Sequence, residues 1–170
     1  FRVVWGVVGG RWSRCASFFY GPGRVLRYLR GQGEAQEHVG HNPLGALSVF
    51  ALLGALLAQV LTGLMADDEI AFSGPLTRFV SGDTVAWATS LHTDVGQWLL
   101  VALVALHLAA IAFYTHIKRH SLVRPMVLGD KQLPASTPAS RDDARTRVLA
   151  AVVLAAAAGV AWWVAQLGVF

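Results

Sequence analysis

The most informative segment of this chain is LHTDVGQWLLVALVALHLAAIAFY, residues 91–114, an apolar run that holds two histidines, His92 and His107. At about 100° and 1.5 Å per residue, fifteen helical steps separate two side chains by roughly 60° around the axis and about 22 Å along it. The two imidazoles would therefore face similar directions at different depths. An imidazole in hydrocarbon loses its water partners, so it needs a hydrogen-bond partner, a proton path or a metal.

Haem iron is a strong candidate for that metal, since neutral imidazole is a good axial ligand. Two imidazoles on one iron leave no open coordination position, which suits electron transfer rather than oxygen chemistry. The residues alone also allow two polar side chains satisfied at helix contacts. The single cysteine, Cys15, provides no C-x-x-C-H motif for covalent attachment, so any haem is expected to be b-type.

The composition predicts an all-α membrane protein, built as a bundle of transmembrane helices. Mean hydropathy is +0.50, and only 14% of the residues are charged. A hydrocarbon layer about 30 Å thick needs roughly 20 apolar residues per helix, and three runs meet that length: 44–65, about 88–114, and 148–170. A fourth run, FRVVWGVVGG at 1–10, is too short to span. We interpret it as the end of a helix that begins upstream of Phe1, and we see no secretory signal peptide.

The charges alternate from one connecting segment to the next. Residues 11–40 contain five arginines and residues 117–147 contain seven basic residues, whereas residues 66–87 contain one arginine and four acidic residues. Because basic loops stay on the cytoplasmic side, this pattern predicts a multi-pass membrane protein whose first and last connecting segments are cytoplasmic. His92 would then lie near the outer surface and His107 in the inner half. The same pattern argues against nucleic acid as the partner of this basic chain.

The sequence predicts the local structure of two connecting segments. RVLRYLRG, residues 24–31, interleaves apolar side chains with arginines, which is typical either of a short amphipathic helix on the anionic inner leaflet or of an ordinary loop. Residues 121–147 are expected to form a cytoplasmic linker, rich in Pro, Ser and charge over their later part. That linker joins the C-terminal transmembrane helix, 148–170.

Several motifs, in order along the chain, resemble the bacterial cytochrome b561 family, in its branch with the cytochrome b subunits of nickel–iron hydrogenases. They are GHNPLGALSVFALLGALLAQVLTGLMADDEIAFSGPL, HTDVGQWLLVALVALH and KRHSLVRPMVLGDK, and FRVVWGVVGGRWSRCASFFYGPG also looks like that family's second helix end. The resemblance covers residues 1–131. It implies a haem-binding membrane domain over residues 1–120 that holds two haems b between its helices.

In the family, four histidines ligate the two irons: one from the first helix, one from the second and two from the fourth. The fourth-helix ligands match His92 and His107. The other two fall upstream of Phe1, so this sequence carries half of the ligand set. The resemblance implies that the first-helix ligand pairs with His107 and the second-helix ligand with His92.

Four further residues are weaker candidates for the site. His41 opens the HNPLG motif, in a position that is generally not a ligand in the family, and suggests capping, contact with a haem propionate, or proton uptake. Arg2 and Arg24 are candidates for contact with a propionate or a quinone. Asp94 either favours a helix N-terminus or, together with Gln97, forms a hydrogen bond to a ligand imidazole or a quinol oxygen.

The leading function is a membrane-bound di-haem b cytochrome that carries electrons between quinone and a redox partner. That partner would be a dehydrogenase or hydrogenase subunit or a c-type cytochrome. We also expect contact with membrane lipid. The sequence leaves open whether the chain forms a homo-oligomer. The alternatives are a haem-free anchor and a proton-conducting protein that uses His92 and His107. No soluble catalytic motif is present, and the sequence leaves open whether such a subunit is an enzyme in its own right.

Overall fold

The computed structural model describes residues 1–33, 39–119, 122–129, 133 and 136–168. Over those residues the regular structure is helical, with one isolated antiparallel bridge between Asp67 and Ser73. The helices are α1 (Arg2–Val8), α2 (Pro22–Leu29), α3 (Pro43–Met65), α4 (Gly82–Ile117), α5 (Val123–Leu128) and α6 (Ala144–Gln166). Helices α3, α4 and α6 are long and apolar enough to cross a membrane. The predicted all-α membrane architecture is therefore confirmed.

Helix α3 begins at residues that are well suited to start a helix. The side chain of Asn42 accepts a hydrogen bond from the backbone N–H of Gly45 at 2.7 Å, which satisfies one of the free donors of the first turn. Pro43 occupies the first helical position, where its missing N–H costs nothing. The helix ends at Met65 because Ala66 is extended. These bounds agree within one residue with the predicted span of 44–65.

Helix α4 is one continuous helix of 36 residues that contains two π-helical segments, Leu91–Gly96 and Phe113–Ile117. It starts at Gly82, six residues before the expected start near 88. The hydroxyl of Ser81 caps it by accepting from the N–H of Thr84 at 3.3 Å. At 1.5 Å per residue the helix is about 54 Å long, which exceeds a hydrocarbon layer of about 30 Å, so its ends extend beyond that layer.

A folded loop connects α3 to α4. The N–H of Leu76 donates to the carbonyl of Leu64 at 2.9 Å, and the N–H of Gly74 donates to that of Ala66 at 2.8 Å, so the loop turns back onto the end of α3. Within it, one carboxylate oxygen of Asp68 accepts the N–H groups of Phe72, Ala71 and Ile70 at 2.8, 2.9 and 3.0 Å. These hydrogen bonds, led by that from Phe72, hold the pKa of Asp68 below its ordinary value.

The segment before α3 packs at the opposite end of the α3–α4 pair. Gly6 of α1 approaches the Sγ of Cys15 closely, and the hydroxyls of Tyr28 in α2 and Tyr114 in α4 are hydrogen-bonded at 3.0 Å. Helix α2 coincides with the segment for which the sequence left an amphipathic helix or a loop open. The structure selects the helix.

Helix α6 differs in extent from the predicted C-terminal span of 148–170. It starts earlier, at Ala144, because the side chain of Asp143 caps it by accepting from the N–H of Thr146 at 2.9 Å. It ends at Gln166, and residues 169–170 lie outside the described part of the chain. The region expected to be a linker, 121–147, contains the short helix α5, which ends where Gly129 adopts a φ of +80°.

Contacts at both ends fix the direction of α6. Near its start, the indole N–H of Trp12 donates to the carbonyl of Pro138 at 3.0 Å. Just past its end, Gly168 lies against Pro75 of the α3–α4 loop. Helix α6 therefore runs from the α1–α2 side of the molecule to the α3–α4 loop side, parallel to α3. This agrees with the alternation of spans that the charge pattern predicts.

Most side chains of the three long helices face outward. Trp98 and Leu106 on α4 are 65% and 67% exposed, whereas Ala88 at the contact with α3 is fully buried. Outward apolar faces of this length suit contact with hydrocarbon, because every backbone group of a helix is already hydrogen-bonded within it.

Gly74 provides a test of the α3–α4 loop. A Cβ at this position would lie 2.6 Å from the backbone carbon of Leu64 and 2.7 Å from the carbonyl oxygen of Gly63. Because backbone atoms cannot move aside easily, Gly74→Ala should destabilise the folded protein by about 1–3 kcal/mol. The measurement is the thermal unfolding midpoint in detergent. Gly82→Ala, where a Cβ meets no atom within 4 Å, is the control and should leave the midpoint nearly unchanged; equal midpoints for both variants would contradict this description of the loop.

Candidate functional site

His92 lies on the first π-helical segment of α4, half-buried against α3. Its Nδ1 is 3.0 Å from the backbone carbonyl oxygen of Gln59 and 3.4 Å from the hydroxyl of Thr62. A carbonyl oxygen can only accept, so this hydrogen bond places the ring proton on Nδ1. Among the residues that the structure describes, none forms a hydrogen bond with Nε2.

The side chain of Gln59 makes a second contact with the same residue. Its amide nitrogen donates to the backbone carbonyl of His92 at 2.9 Å, an oxygen that also accepts from the N–H of Gln97 within the π-helical segment. The amide oxygen of Gln59 lies against Gly96, is buried, and has no hydrogen-bond partner in the described part of the chain. Gln59 therefore holds His92 both at its ring and at its backbone.

Gly63 of α3 makes room for the ring of His92. A Cβ on Gly63 would lie 2.7 Å from Cε1 and 3.1 Å from Nδ1 of the imidazole. These distances are too short for real atoms, so the ring occupies space that only glycine leaves open. The approach of α4 to α3 at this depth depends on that glycine.

His107 makes the equivalent contact deeper in α4. Its Nδ1 is 3.0 Å from the hydroxyl oxygen of Ser48, and the residue is half-buried. A hydroxyl can donate or accept, so the geometry allows either direction for this bond. Its Nε2 likewise has no partner over the described ranges. Both histidines thus contact α3, which confirms the expectation that they face the same side of the helix.

These rings are arranged as an iron-bound imidazole requires. In such a ligand Nε2 binds the metal, and Nδ1–H donates to a neighbouring acceptor that fixes the tautomer and the ring orientation. The bond from His92 to Gln59 already has that form, and the contact between His107 and Ser48 permits it. The hydrogen bonds of both histidines are therefore compatible with a haem-ligating role.

His41 belongs to a second group of residues, at the end of the molecule near α1 and α2. Its ring packs against buried Phe18 with centroids 4.7 Å apart, and its backbone carbonyl accepts from the hydroxyl of Tyr20 at 2.9 Å. Its Nδ1 is buried without a partner among the described residues. Burial, and secondarily the charge of Arg2, lower the pKa of His41. The guanidinium of Arg24 lies over the Tyr20 ring, 5.1 Å from its centroid.

The structure therefore places the charge of Arg2 where it acts on His41, and places Arg24 beside Tyr20, whose hydroxyl bonds the carbonyl of His41. One expectation needs correction, because the cap of α3 is Asn42 and not His41. Two other histidines, His38 and His120, lie outside the described residues. His116 is exposed near the end of α4.

For Asp94 the helix N-terminus interpretation is wrong, and no hydrogen bond joins it to a histidine among the described residues, whereas contact with a quinol oxygen stays a prediction. The residue lies inside α4, twelve positions after Gly82, so it is not at a helix N-terminus; Asp83 occupies the first turn instead. Its carboxylate accepts from the hydroxyls of Ser90 and Thr93 at 3.0 and 2.9 Å rather than from a histidine.

The support for the imidazoles comes instead from three residues that the sequence analysis missed. Helix α3 contains three polar side chains in an otherwise apolar span, and each contacts a histidine of α4: Ser48, Gln59 and Thr62. Their isolation in that span was the signal that could have identified them, because an intramembrane polar side chain usually has a partner.

This chain is similar in sequence to one family model and to several known proteins that share a name. A sequence model of prokaryotic cytochrome b561 matches residues 1–129. The chain is 28% identical over 148 residues to a probable Ni/Fe-hydrogenase B-type cytochrome subunit of Bradyrhizobium diazoefficiens. The aligned region covers 77% of this chain and 59% of that protein. Proteins of the same name from Rhodobacter capsulatus and Azotobacter chroococcum mcd 1 are 27% and 28% identical, covering 76% and 81% of this chain and 55% and 63% of their own lengths. The chain thus spans less than two-thirds of each of these relatives. No solved structure matches it.

The lowered pKa of His41 predicts a dependence of stability on pH. The folded protein holds this imidazole neutral, whereas the unfolded chain binds a proton near pH 6.5, so stability should fall as the pH drops below about 6.5. NMR titration of labelled histidines in detergent should give a His41 midpoint below 6.5. Arg2→Gln should raise that midpoint only in part, because burial is the larger cause. The control is His116→Gln, which should leave the midpoint unchanged; a midpoint at or above 6.5 would refute the assignment.

Proposed function

This chain belongs to the prokaryotic cytochrome b561 family, and from that membership we propose that it is a membrane-bound di-haem b cytochrome carrying electrons between the quinone pool and a redox partner. The observation that carries the proposal is the pair of half-buried histidines, His92 and His107, whose Nδ1 atoms contact α3 while Nε2 remains without a partner in the described part of the chain. In this proposal each Nε2 would hold a haem iron.

The arrangement of the two histidines suits passage of electrons across the membrane. Haem iron held between two imidazoles supplies a one-electron couple without an open coordination position. His92 and His107 would hold two such groups on the same side of α4, at depths separated by about 22 Å along the helix. Gln59 and Ser48 keep the two rings oriented. The chain's own role is thus to fix the position and the donor strength of each ligand.

The redox partner follows from the relatives. The curated proteins named above carry the name of a Ni/Fe-hydrogenase B-type cytochrome subunit, so we propose a hydrogenase as the electron donor or acceptor of this protein. A different dehydrogenase or a c-type cytochrome would serve the same chemistry. We place the protein in the bacterial cytoplasmic membrane as an electron-transfer subunit rather than a stand-alone enzyme, with the α1–α2 end on the cytoplasmic side, because the arginines lie there.

The proposal is tested by the reduced-minus-oxidised visible spectrum of the purified membrane protein, expressed with any sequence encoded upstream of Phe1. We expect b-type bands and two haems per chain. His92→Ala and His107→Ala should each remove one haem, because each variant deletes one axial ligand. His116→Ala, an exposed histidine on the same helix, is the matched control and should keep both.

Other outcomes point to the other function classes. A colourless wild-type protein would overturn the cytochrome proposal. If His92→Ala and His107→Ala then left assembly with the partner intact, a haem-free anchor would be favoured. If they abolished a pH-dependent proton flux into vesicles, the histidines would act as a proton relay instead.

A further inference from the structure

The three polar side chains of α3 all contact the two histidines of α4. Ser48 touches the Nδ1 of His107 at 3.0 Å, Gln59 holds His92 through its carbonyl and its side chain, and the hydroxyl of Thr62 is 3.4 Å from the Nδ1 of His92. The rest of α3 is apolar. Each polar side chain of this helix therefore has a contact with a histidine of α4.

The acceptors for the two rings differ in kind. The Nδ1–H of His92 donates to a backbone carbonyl, which can only accept and which substitution of a side chain does not remove. The partner of His107 is a single hydroxyl, which a substitution does remove. An acceptor on Nδ1–H raises the basicity of the imidazole and strengthens its donation to a metal through Nε2. Each ring thus contacts its own residue of α3.

We propose that Ser48 and Gln59 are positioning residues, Ser48 for His107 and Gln59 for His92, and that each sets the donor strength and ring orientation of its own histidine independently of the other. This inference rests on the proposed function, since it concerns histidines acting as haem ligands. In this proposal the hydroxyl of Ser48 accepts a hydrogen bond from the Nδ1–H of His107, which is one of the two directions that the contact allows. Gln59 fixes the ring of His92 through its carbonyl oxygen and fixes the π-helical segment through its amide nitrogen.

Independence follows from the separation of the two contacts. Ser48 and Gln59 are eleven residues apart on α3, which at 1.5 Å per residue is about 16 Å. No hydrogen bond between described residues connects Ser48 to Gln59 or Thr62. Effects of substitutions separated by more than about 10 Å and without shared partners are usually additive. A change at one contact should therefore leave the other haem unaffected.

Potentiometric titration of the purified protein, with both haems resolved, tests the first contact. Ser48→Ala leaves Nδ1–H of His107 without an acceptor, which weakens imidazole donation and destabilises the oxidised iron. The midpoint potential of the haem at His107 should rise while the other stays at its wild-type value. Ser48→Thr retains a hydroxyl and should restore the wild-type potential. Ser90→Ala removes a hydroxyl that bonds Asp94 and not a histidine, so it should change neither potential.

The second contact is tested by the low-temperature EPR signal of the oxidised protein, which reports the orientation of the ligand planes. Gln59→Met keeps the length of the side chain but removes the donor to the His92 carbonyl, so it should shift the signal of the haem at His92 alone. Gly63→Ala should displace the same ring by direct contact, since its Cβ would lie 2.7 Å from Cε1. Gly54→Ala on the same helix, where a Cβ meets nothing within 4 Å, should leave the signal unchanged.

The outcomes separate this inference from the proposed function. If the wild-type protein contains no haem, the proposed function fails and the inference fails with it. If it contains two haems but Ser48→Ala leaves both potentials unchanged, or shifts both equally, the positioning roles are wrong and the cytochrome proposal stands. If Ser48→Ala releases only the haem at His107 and Ser48→Thr retains it, the inference holds. Loss of both haems, with Ser48→Thr behaving like Ser48→Ala, would overturn it.

Discussion

Hydrogen bonding between α3 and the histidines of α4 is the constraint on which the structure depends. In an apolar layer a polar group without a partner costs several kcal/mol, because no water can replace the partner. Helix α4 brings two imidazoles into that layer, and α3 supplies an acceptor at each depth. Rotating α3 by one residue, about 100°, would move Ser48 and Gln59 away from both rings together. The two contacts therefore fix the rotation and the register of α3 against α4.

The irregular turn of α4 at His92 belongs to the same constraint. In the segment Leu91–Gly96 the carbonyl of His92 accepts from Gln97 with π-helical spacing and also from the side chain of Gln59. π-Helical turns are uncommon and frequently occur at functional sites. Here the turn coincides with two close approaches, of the Gln59 amide oxygen to Gly96 and of the His92 ring to Gly63. The orientation of the His92 imidazole therefore depends on the helix geometry, on one side-chain hydrogen bond and on two glycines.

The sequence predicted the features that local chemistry controls. Hydropathy and the Asn42–Pro43 start located α3 within one residue. The start of α4 was placed too late because Asp83 and Thr84 lower the local hydropathy, although Ser81 is a good cap. Hydropathy also hid Gln59, since one polar residue barely changes the mean of an apolar span. Which histidine it contacts depends on the rotation of two helices that are distant in sequence, and local rules do not determine that rotation.

The group around His41, at the α1–α2 end, also could not be predicted from local sequence. The sequence marked His41, Arg2 and Arg24 as separate candidates, and only the fold brings Arg2 close to the ring and places Arg24 on Tyr20. Burial and the neighbouring positive charge act in the same direction there, so the imidazole stays neutral and its buried Nδ1 keeps unused hydrogen-bonding capacity among the described residues.

The α3–α4 loop differs from the group around His41, because one carboxylate oxygen of Asp68 accepts hydrogen bonds from three backbone N–H groups of the loop. Burial and Arg2 disfavour the protonated form of His41, and three N–H groups stabilise the ionised form of Asp68, so both groups resist taking a proton. In the part of the chain that the structure describes, the two ends therefore differ in hydrogen bonding: the Nδ1 of His41 has no partner, whereas one carboxylate oxygen of Asp68 has three.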